Sequence, residues 1–208
     1  MTVTKLRTIA LVFALILALQ AVWILLPEIL SPSTATPSTP SAETTDLAAR
    51  IGWLRGDLWA DYALALNPQF PSLIEGSASQ PNRAIAEYAA ATAPFDSRVW
   101  LLLAELDASP SSPSSEAQLK MSFYTAPDDM RLIPSRIILG AQLNVASDDE
   151  LQYQIEQQMR AIILKRADQK SVIATAYARA SPSGRHFIET KLAELDPKFL
   201  AELKGAAH

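Results

Sequence analysis

The sequence predicts an all-α protein: an N-terminal transmembrane helix, a Pro/Ser/Thr linker and a helical body. Three observations carry this. Residues Thr8 to Pro27 form an uncharged apolar run, residues 31–45 are almost entirely Ser, Thr and Pro, and apolar residues from 46 onward recur with a period close to 3.6. No stretch alternates apolar and polar residues between turn signals, as a strand would. The chain has 208 residues, 49% of them apolar and 19% charged, so it is not a wholly disordered chain.

The net charge of -4 gives no attraction for a polyanion, and nucleic acid is not expected as a partner. With no cysteine there is no disulfide, thiolate metal site or Cys nucleophile. With only His186 and His208, a histidine metal site or a two-histidine catalytic centre is not expected either. No cofactor is implied.

The first element is the apolar run. At about 1.5 Å per residue, Thr8–Pro27 spans about 30 Å, the depth of a bilayer's hydrocarbon core. Trp23 near its far end suits a membrane interface. Lys5 and Arg7 precede the run, whereas Glu28, Glu43 and Asp46 come after it before any basic residue appears. By the positive-inside rule residues 1–7 stay in the cytoplasm and the body lies across the membrane. The expected location is a single-pass anchor in the inner (plasma) membrane with a periplasmic or otherwise extracytoplasmic body. A cleaved signal peptide has a shorter apolar core and a small-x-small cleavage site; here Pro27, Glu28, Ile29 and Leu30 stand in that place instead. A buried core helix would need something to pack on, and the neighbouring linker offers nothing.

Twelve of residues 31–45 are Ser, Thr or Pro. Such a segment buries too little to offset its ordering entropy, so 28–45 reads as an extended, solvated spacer. The body, 46–208, is long enough for a sizeable core.

Leu47, Ile51, Leu54, Leu58 and Tyr62 share one face of a first body helix that ends before Asn67-Pro68. A second, near 82–93, stops at Pro94. A third starts after Asp96-Ser97. Beyond the polar break 108–115 a fourth carries Leu119 and Phe123 and stops at Pro127. A fifth covers about 129–139, ending near Gly140. Ser147-Asp148-Asp149-Glu150 reads as a capping box opening the longest body helix, with Leu151, Ile155, Met159 and Ile162 aligned. A seventh carries Val172, Ile173 and Tyr177. An eighth starts after Ser181-Pro182-Ser183-Gly184, aligning Ile188, Leu192 and Leu195. The last begins at Asp196-Pro197, with Asp as cap and Pro in the first helical position, and ends at Gly205.

Within this body Thr92-Ala93-Pro94-Phe95-Asp96-Ser97-Arg98 recurs as Thr125-Ala126-Pro127-Asp128-Asp129-Met130-Arg131, 33 residues later. That offset lies near the 34-residue period of helix-turn-helix repeats. In both copies a helix stops at Pro, an Asp is placed to cap the next helix, and an Arg lies in that helix's first turn.

On these residues the chain resembles the tetratricopeptide-repeat (TPR) family. Pro94 matches the proline closing a repeat's second helix, Ala89 the small residue before it, and Trp100, Leu103 and Ala104 the start of the next repeat. Asp107, Ala86, and Ile133, Arg136 and Ile137 depart from that pattern. The resemblance covers about 81–142 and implies a TPR-like α-solenoid; the alternative is a non-repeating helical bundle with two similar turns. The layout, with the stretches 121–134 and 181–189, also resembles small membrane-anchored, TPR-like proteins of alphaproteobacterial envelopes, some of which accompany polysaccharide assembly. The membrane-bound assembly factors of c-type cytochromes share the same plan. This resemblance implies a scaffold or adaptor for another envelope protein.

No chemistry-bearing constellation stands out. His186 lacks an evident partner, and no G-x-S-x-G, H-E-x-x-H or Gly-rich phosphate loop occurs. Asp128-Asp129 reads as helix capping rather than a cation site, since no oxygen-rich loop of EF-hand type accompanies it. Arg55-Gly56-Asp57 lies within the expected first body helix, where it cannot project as an adhesion loop. Arg98 and Arg131, one per repeat, are placed to line a groove for an acidic peptide, with Trp100 beside them; these three are the candidate partner-binding residues. The expectation is a non-catalytic protein that contacts the bilayer and an unidentified protein. The alternatives are a cell-wall or polysaccharide hydrolase with an unassigned carboxylate site, or a purely structural subunit of a membrane complex.

Overall fold

A computed structural model of the chain describes residues 3–30, 41–67, 80–108, 112–143 and 148–206. Among them lie eleven α-helices, one short 3-10 turn and no strand. Helix α1 covers Val3–Leu30, and its span Arg7–Pro27 is long and apolar enough to cross a membrane; its side chains from Arg7 to Leu26 are exposed, and only Pro27 at its end is buried. Pro27, without an amide hydrogen, sits inside its last turns. The centre of the expected spacer, 31–40, lies outside the described residues. Its flanks are helical: α1 runs on to Leu30, and Ser41 caps α2 by accepting from the Thr44 amide at 3.3 Å.

The single helix expected over 47–62 is two helices, α2 (Ala42–Ile51) and α3 (Gly56–Ala65). Gly52 closes α2, donating to Ala48 O at 2.9 Å, and Arg55 then takes an extended backbone before α3. The expected apolar face therefore comes apart. Of its five members only Leu58 is buried, while Leu47 and Leu54 face solvent and Thr45, Ala48 and Ala49 go inside.

The remaining helices are α4 (Gln80–Thr92), α5 (Ser97–Leu106), α6 (Pro113–Thr125), α7 (Ile133–Gln142), α8 (Asp149–Lys165), α9 (Lys170–Arg179), α10 (Pro182–Leu195) and α11 (Pro197–Ala206). Serine, aspartate and proline start most of them. Asp96 caps α5, Ser112 caps α6 with Pro113 in the first turn, Ser181 caps α10 by accepting from Gly184 N, and Asp196 accepts from Phe199 N. Ser147 lies outside the described residues; Asp148 caps α8, accepting from Glu150 N and Leu151 N, both at 3.1 Å. Helix α7 starts four residues later than the sequence suggests, because Pro134 cannot donate a helical bond to Met130; Leu132 is its cap residue, so Asp129 does not cap it and Arg131 lies ahead of it rather than in its first turn.

Each helix from α2 to α11 packs on its neighbour in the chain, and α3, α5, α7 and α9 also touch in series. Helix α7 departs from a simple series by packing on α10 as well, where Gly184 lets its backbone meet the Ala141 carbonyl. Ser181 N donates to that same carbonyl at 2.9 Å. The largest apolar core gathers around α7 and α8, with Phe123, Ile137, Leu139, Ile155, Met159 and Ile162 all buried; a smaller one of mostly alanines joins α3, α4 and α5.

Candidate functional site

The 33-residue echo is a structural one. Helices α4 and α6 have equal length and their bounds differ by 33 at both ends. Thr92 Oγ1 donates to Tyr88 O at 2.9 Å, and Thr125 Oγ1 to Met121 O at 2.8 Å. After each proline the Asp and Arg form the same three bonds. Arg98 donates to Asp96 from its amide (3.0 Å), Nε (3.0 Å) and Nη2 (2.6 Å); Arg131 donates to Asp129 at 3.1, 3.0 and 2.9 Å. A bidentate guanidinium–carboxylate pair with an added amide bond fixes the arginine's direction as well as its charge.

The two junctions meet. Asp57, Phe95, Asp96, Arg98, Asp129 and Arg131 line one open depression of about 400 Å3. Gly56, at the start of α3, lets Asp57 join it by packing its backbone on Thr92 and Ala93. Phe95 stands at the depression 85% exposed, and Met130 in the second junction is also exposed.

The electrostatics differ between the two arginines. Arg98 is half-buried and held by a second carboxylate, Asp61, at 3.2 Å, whereas the Arg131 side chain is largely in solvent. Hydrogen bonding to Asp96 raises the Arg98 pKa, as bonding to Asp129 raises that of Arg131. The Asp129 carboxyl is in turn pulled down by Arg131, while burial pushes Asp61 up despite Arg98. Three carboxylates and two guanidiniums line the depression, and each guanidinium already has a carboxylate partner. The surface is not a basic one.

The sequence-predicted residues therefore divide. Arg98 and Arg131 come together in the depression. Trp100 does not line it: the ring packs on the alanine-rich core and its Nε1 donates to Pro94 O at 2.8 Å. His186 is exposed on α10, and His208 lies outside the described residues. Among the described residues there is no group of three or more His, Asp or Glu placed to hold a metal ion.

Phe95, the most exposed large apolar side chain among the described residues, escapes the sequence pattern. Its signal is its place between a helix-ending proline and a capping aspartate, where no helix face can bury it. Arg136 also escapes. It is fully buried, its Nε donates to Ser122 Oγ at 3.1 Å, and its guanidinium lies 4.9 Å from the Phe123 ring centroid. Its Nη1 has no partner, and burial pushes its pKa down to about 10, so it stays charged at neutral pH. The signal is present in the echo: 33 residues earlier, the buried pair Ala89 and Leu103 stands where Ser122 and Arg136 stand here.

The chain matches no protein-family model, no curated protein and no solved structure.

Proposed function

We propose that the protein is a membrane-anchored, TPR-like helical-repeat adaptor, not an enzyme, whose body lies on the side of the membrane away from Lys5 and Arg7. Helix α1 supports the anchor: every described side chain from Arg7 to Leu26 is exposed, and among the described residues nothing covers an apolar surface of that length. The charge asymmetry about the span supports the sidedness, a periplasmic body in an inner membrane. The equal helices α4 and α6 and the serial contacts of α3, α5, α7 and α9 support the repeat reading.

The observation that carries the binding role is the depression at the two Pro-Asp-Arg junctions. It combines an exposed aromatic anchor with a rim of carboxylates and guanidiniums whose geometry is fixed. Exposed aromatic residues in polar surroundings are the common anchors of protein interfaces. Because each arginine already has a carboxylate partner, the favoured ligand is an apolar or amphipathic segment seated on Phe95, with Arg131 free to swing from Asp129 to an acidic group. Asp57 in the depression lies on α3, just beyond the turn that meets the carboxyl end of α1. That proximity favours a partner that is itself in or at the membrane, an envelope protein in an assembly pathway such as that of a polysaccharide.

Two measurements test this reading. A reporter enzyme fused to the C-terminus should be active outside the cytoplasm; activity only in the cytoplasm overturns the topology. A photo-crosslinking residue at Phe95 in intact membranes should trap a discrete protein adduct that the same residue at Tyr153, exposed on α8, does not. Equal capture at both positions overturns the depression as the binding face.

A further inference from the structure

The turn between α2 and α3 is tied to the last apolar turn of α1. The Trp23 indole Nε1 donates to the Ile51 carbonyl at 2.9 Å. The buried Gly52 lies against the buried ring of Pro27, with Pro27 Cγ only 3.6 Å from the position a Gly52 Cβ would take. Trp23 and Pro27 are one helical turn apart, so these contacts set the α2–α3 turn at the level of the last ~6 Å of the apolar run. The turn is itself braced: Arg55 N donates to Gly52 O at 2.6 Å, and Trp59 Nε1 to Trp53 O at 3.3 Å. From this braced backbone Trp53 and Leu54 project outward, 59% and 67% exposed.

We infer that Trp53 and Leu54 form an interfacial foot, seated in the headgroup–acyl boundary of the leaflet that receives the carboxyl end of α1. This rests on the reading of α1 as a membrane span. Bilayer lipid is the occupant because the two exposed apolar side chains stand on the turn that is bonded to the last apolar turn of α1, at the depth where tryptophan is favoured by its apolar ring and polar N–H. The neighbouring arginines are already engaged, Arg50 with Asp46 at 2.8 Å and Arg55 with Asp57 at 2.5 Å. The contact is therefore apolar and does not need anionic lipid. A span and a foot together make two attachments, which hold the body at one orientation to the bilayer where a single tether would let it swivel.

The absence of cysteine in the chain allows a single label at a chosen site. The full-length protein carries a polarity-sensitive dye at L54C, L15C (in α1) or Y153C, in phosphatidylcholine vesicles. Helix α8, which holds Tyr153, packs on α6, α7, α9 and α10. Lipid-borne nitroxide should quench L54C and L15C, and aqueous iodide should quench Y153C. Adding Trp53→Asp to L54C should cost most of the lipid quenching. If L54C behaves like Y153C while L15C is quenched from the lipid, the span stands and the foot is overturned. If L15C is also water-accessible, the span itself is wrong and the foot falls with it. Lipid quenching that survives Trp53→Asp in full shows that the dye, not the turn, seeks the bilayer, and likewise overturns the foot.

Discussion

Around α2 to α5 the buried apolar positions are mostly alanine, whereas around α7 to α10 they are leucine, isoleucine, methionine and phenylalanine. Among the described residues, seven of the eleven buried apolar residues in the two N-terminal clusters are alanine, against three of twenty-two in the C-terminal cluster. Alanine brings helix backbones close while removing little apolar surface from water, and each missing methylene forgoes about 0.8 kcal/mol. The N-terminal half is thus held by fit and by the regular spacing of its junctions; the C-terminal half is held by volume. The comparison also explains where the echo appears, since close packing on small residues ties each helix's register to its neighbour, and large side chains can adjust.

The largest effect that would break this contrast lies in the C-terminal core. Met159 is fully buried in it, and Met159→Ala should cost about 2–5 kcal/mol through lost transfer energy and a residual cavity. Chemical denaturation of the detergent-solubilised chain, monitored by far-UV circular dichroism, would measure it. A cost under about 1 kcal/mol would mean that this core collapses around the gap and is less tightly packed than its buried volume implies.

The reverse substitution tests the other half. Ala89→Leu, at a fully buried position between α4 and α5, should destabilise by about 1–3 kcal/mol, because the backbones must part to admit the extra carbons. A gain in stability would show spare room among the alanines and undo the argument from close approach.

A third test exchanges one junction's packing for the other's. At the first junction Ala89 and Leu103 belong to one buried cluster; at the second, Ser122 and Arg136 occupy the corresponding places and are joined by hydrogen bonds. The buried guanidinium meets a hydroxyl, a carbonyl and an aromatic face but no carboxylate within salt-bridge distance among the described residues, and its Nη1 is left unpaired. The double change Ser122→Ala with Arg136→Leu should therefore be neutral or stabilising, by roughly 1–2 kcal/mol, while Arg136→Ala alone should destabilise through its cavity. A double variant less stable than Arg136→Ala would show that the second junction depends on its cation.

These contrasts bear on what is legible in the sequence. Capping aspartates are local signals, so α5 and α11 begin where Asp96 and Asp196 place them, whereas α6 and α10 begin at Pro113 and Pro182, inside stretches that the sequence reads as a break and a turn. The break at Gly52 is not legible, because the stripe Leu47–Tyr62 satisfies a helical period, and the close approach of Leu58 and Pro27 to Gly52 is a tertiary contact that the pattern does not carry. For the candidate site, the pairing of Arg98 and Arg131 is visible through the echo. Their neutralisation is less so, since Asp61 reaches Arg98 from another helix. Arg136 reads as a surface charge by residue type, and its burial is legible only through its register with Leu103 in the echo.

The smallest predicted effect sits on the seam between the halves. Helix α5 sends Leu101 and Ala104 to the large core and Leu102 and Leu103 to the small one. Glu105 comes next, partly exposed as a side chain but with Oε1 sealed and unpaired. Burial pushes its carboxyl up to about 8 from an ordinary value near 4.5. The folded state then binds a proton more tightly than the unfolded chain, so the stabilisation is complete below about pH 4.5 and is lost as pH rises toward 8. Glu105→Gln should match the wild type at about pH 5 and exceed it at about pH 9, by roughly 1–2 kcal/mol once the exposed part of the side chain is allowed for. Denaturation midpoints across that range would show a flatter pH profile in the variant. An unchanged slope would mean that Glu105 ionises freely, and that the seam between the alanine-packed and large-residue cores admits water.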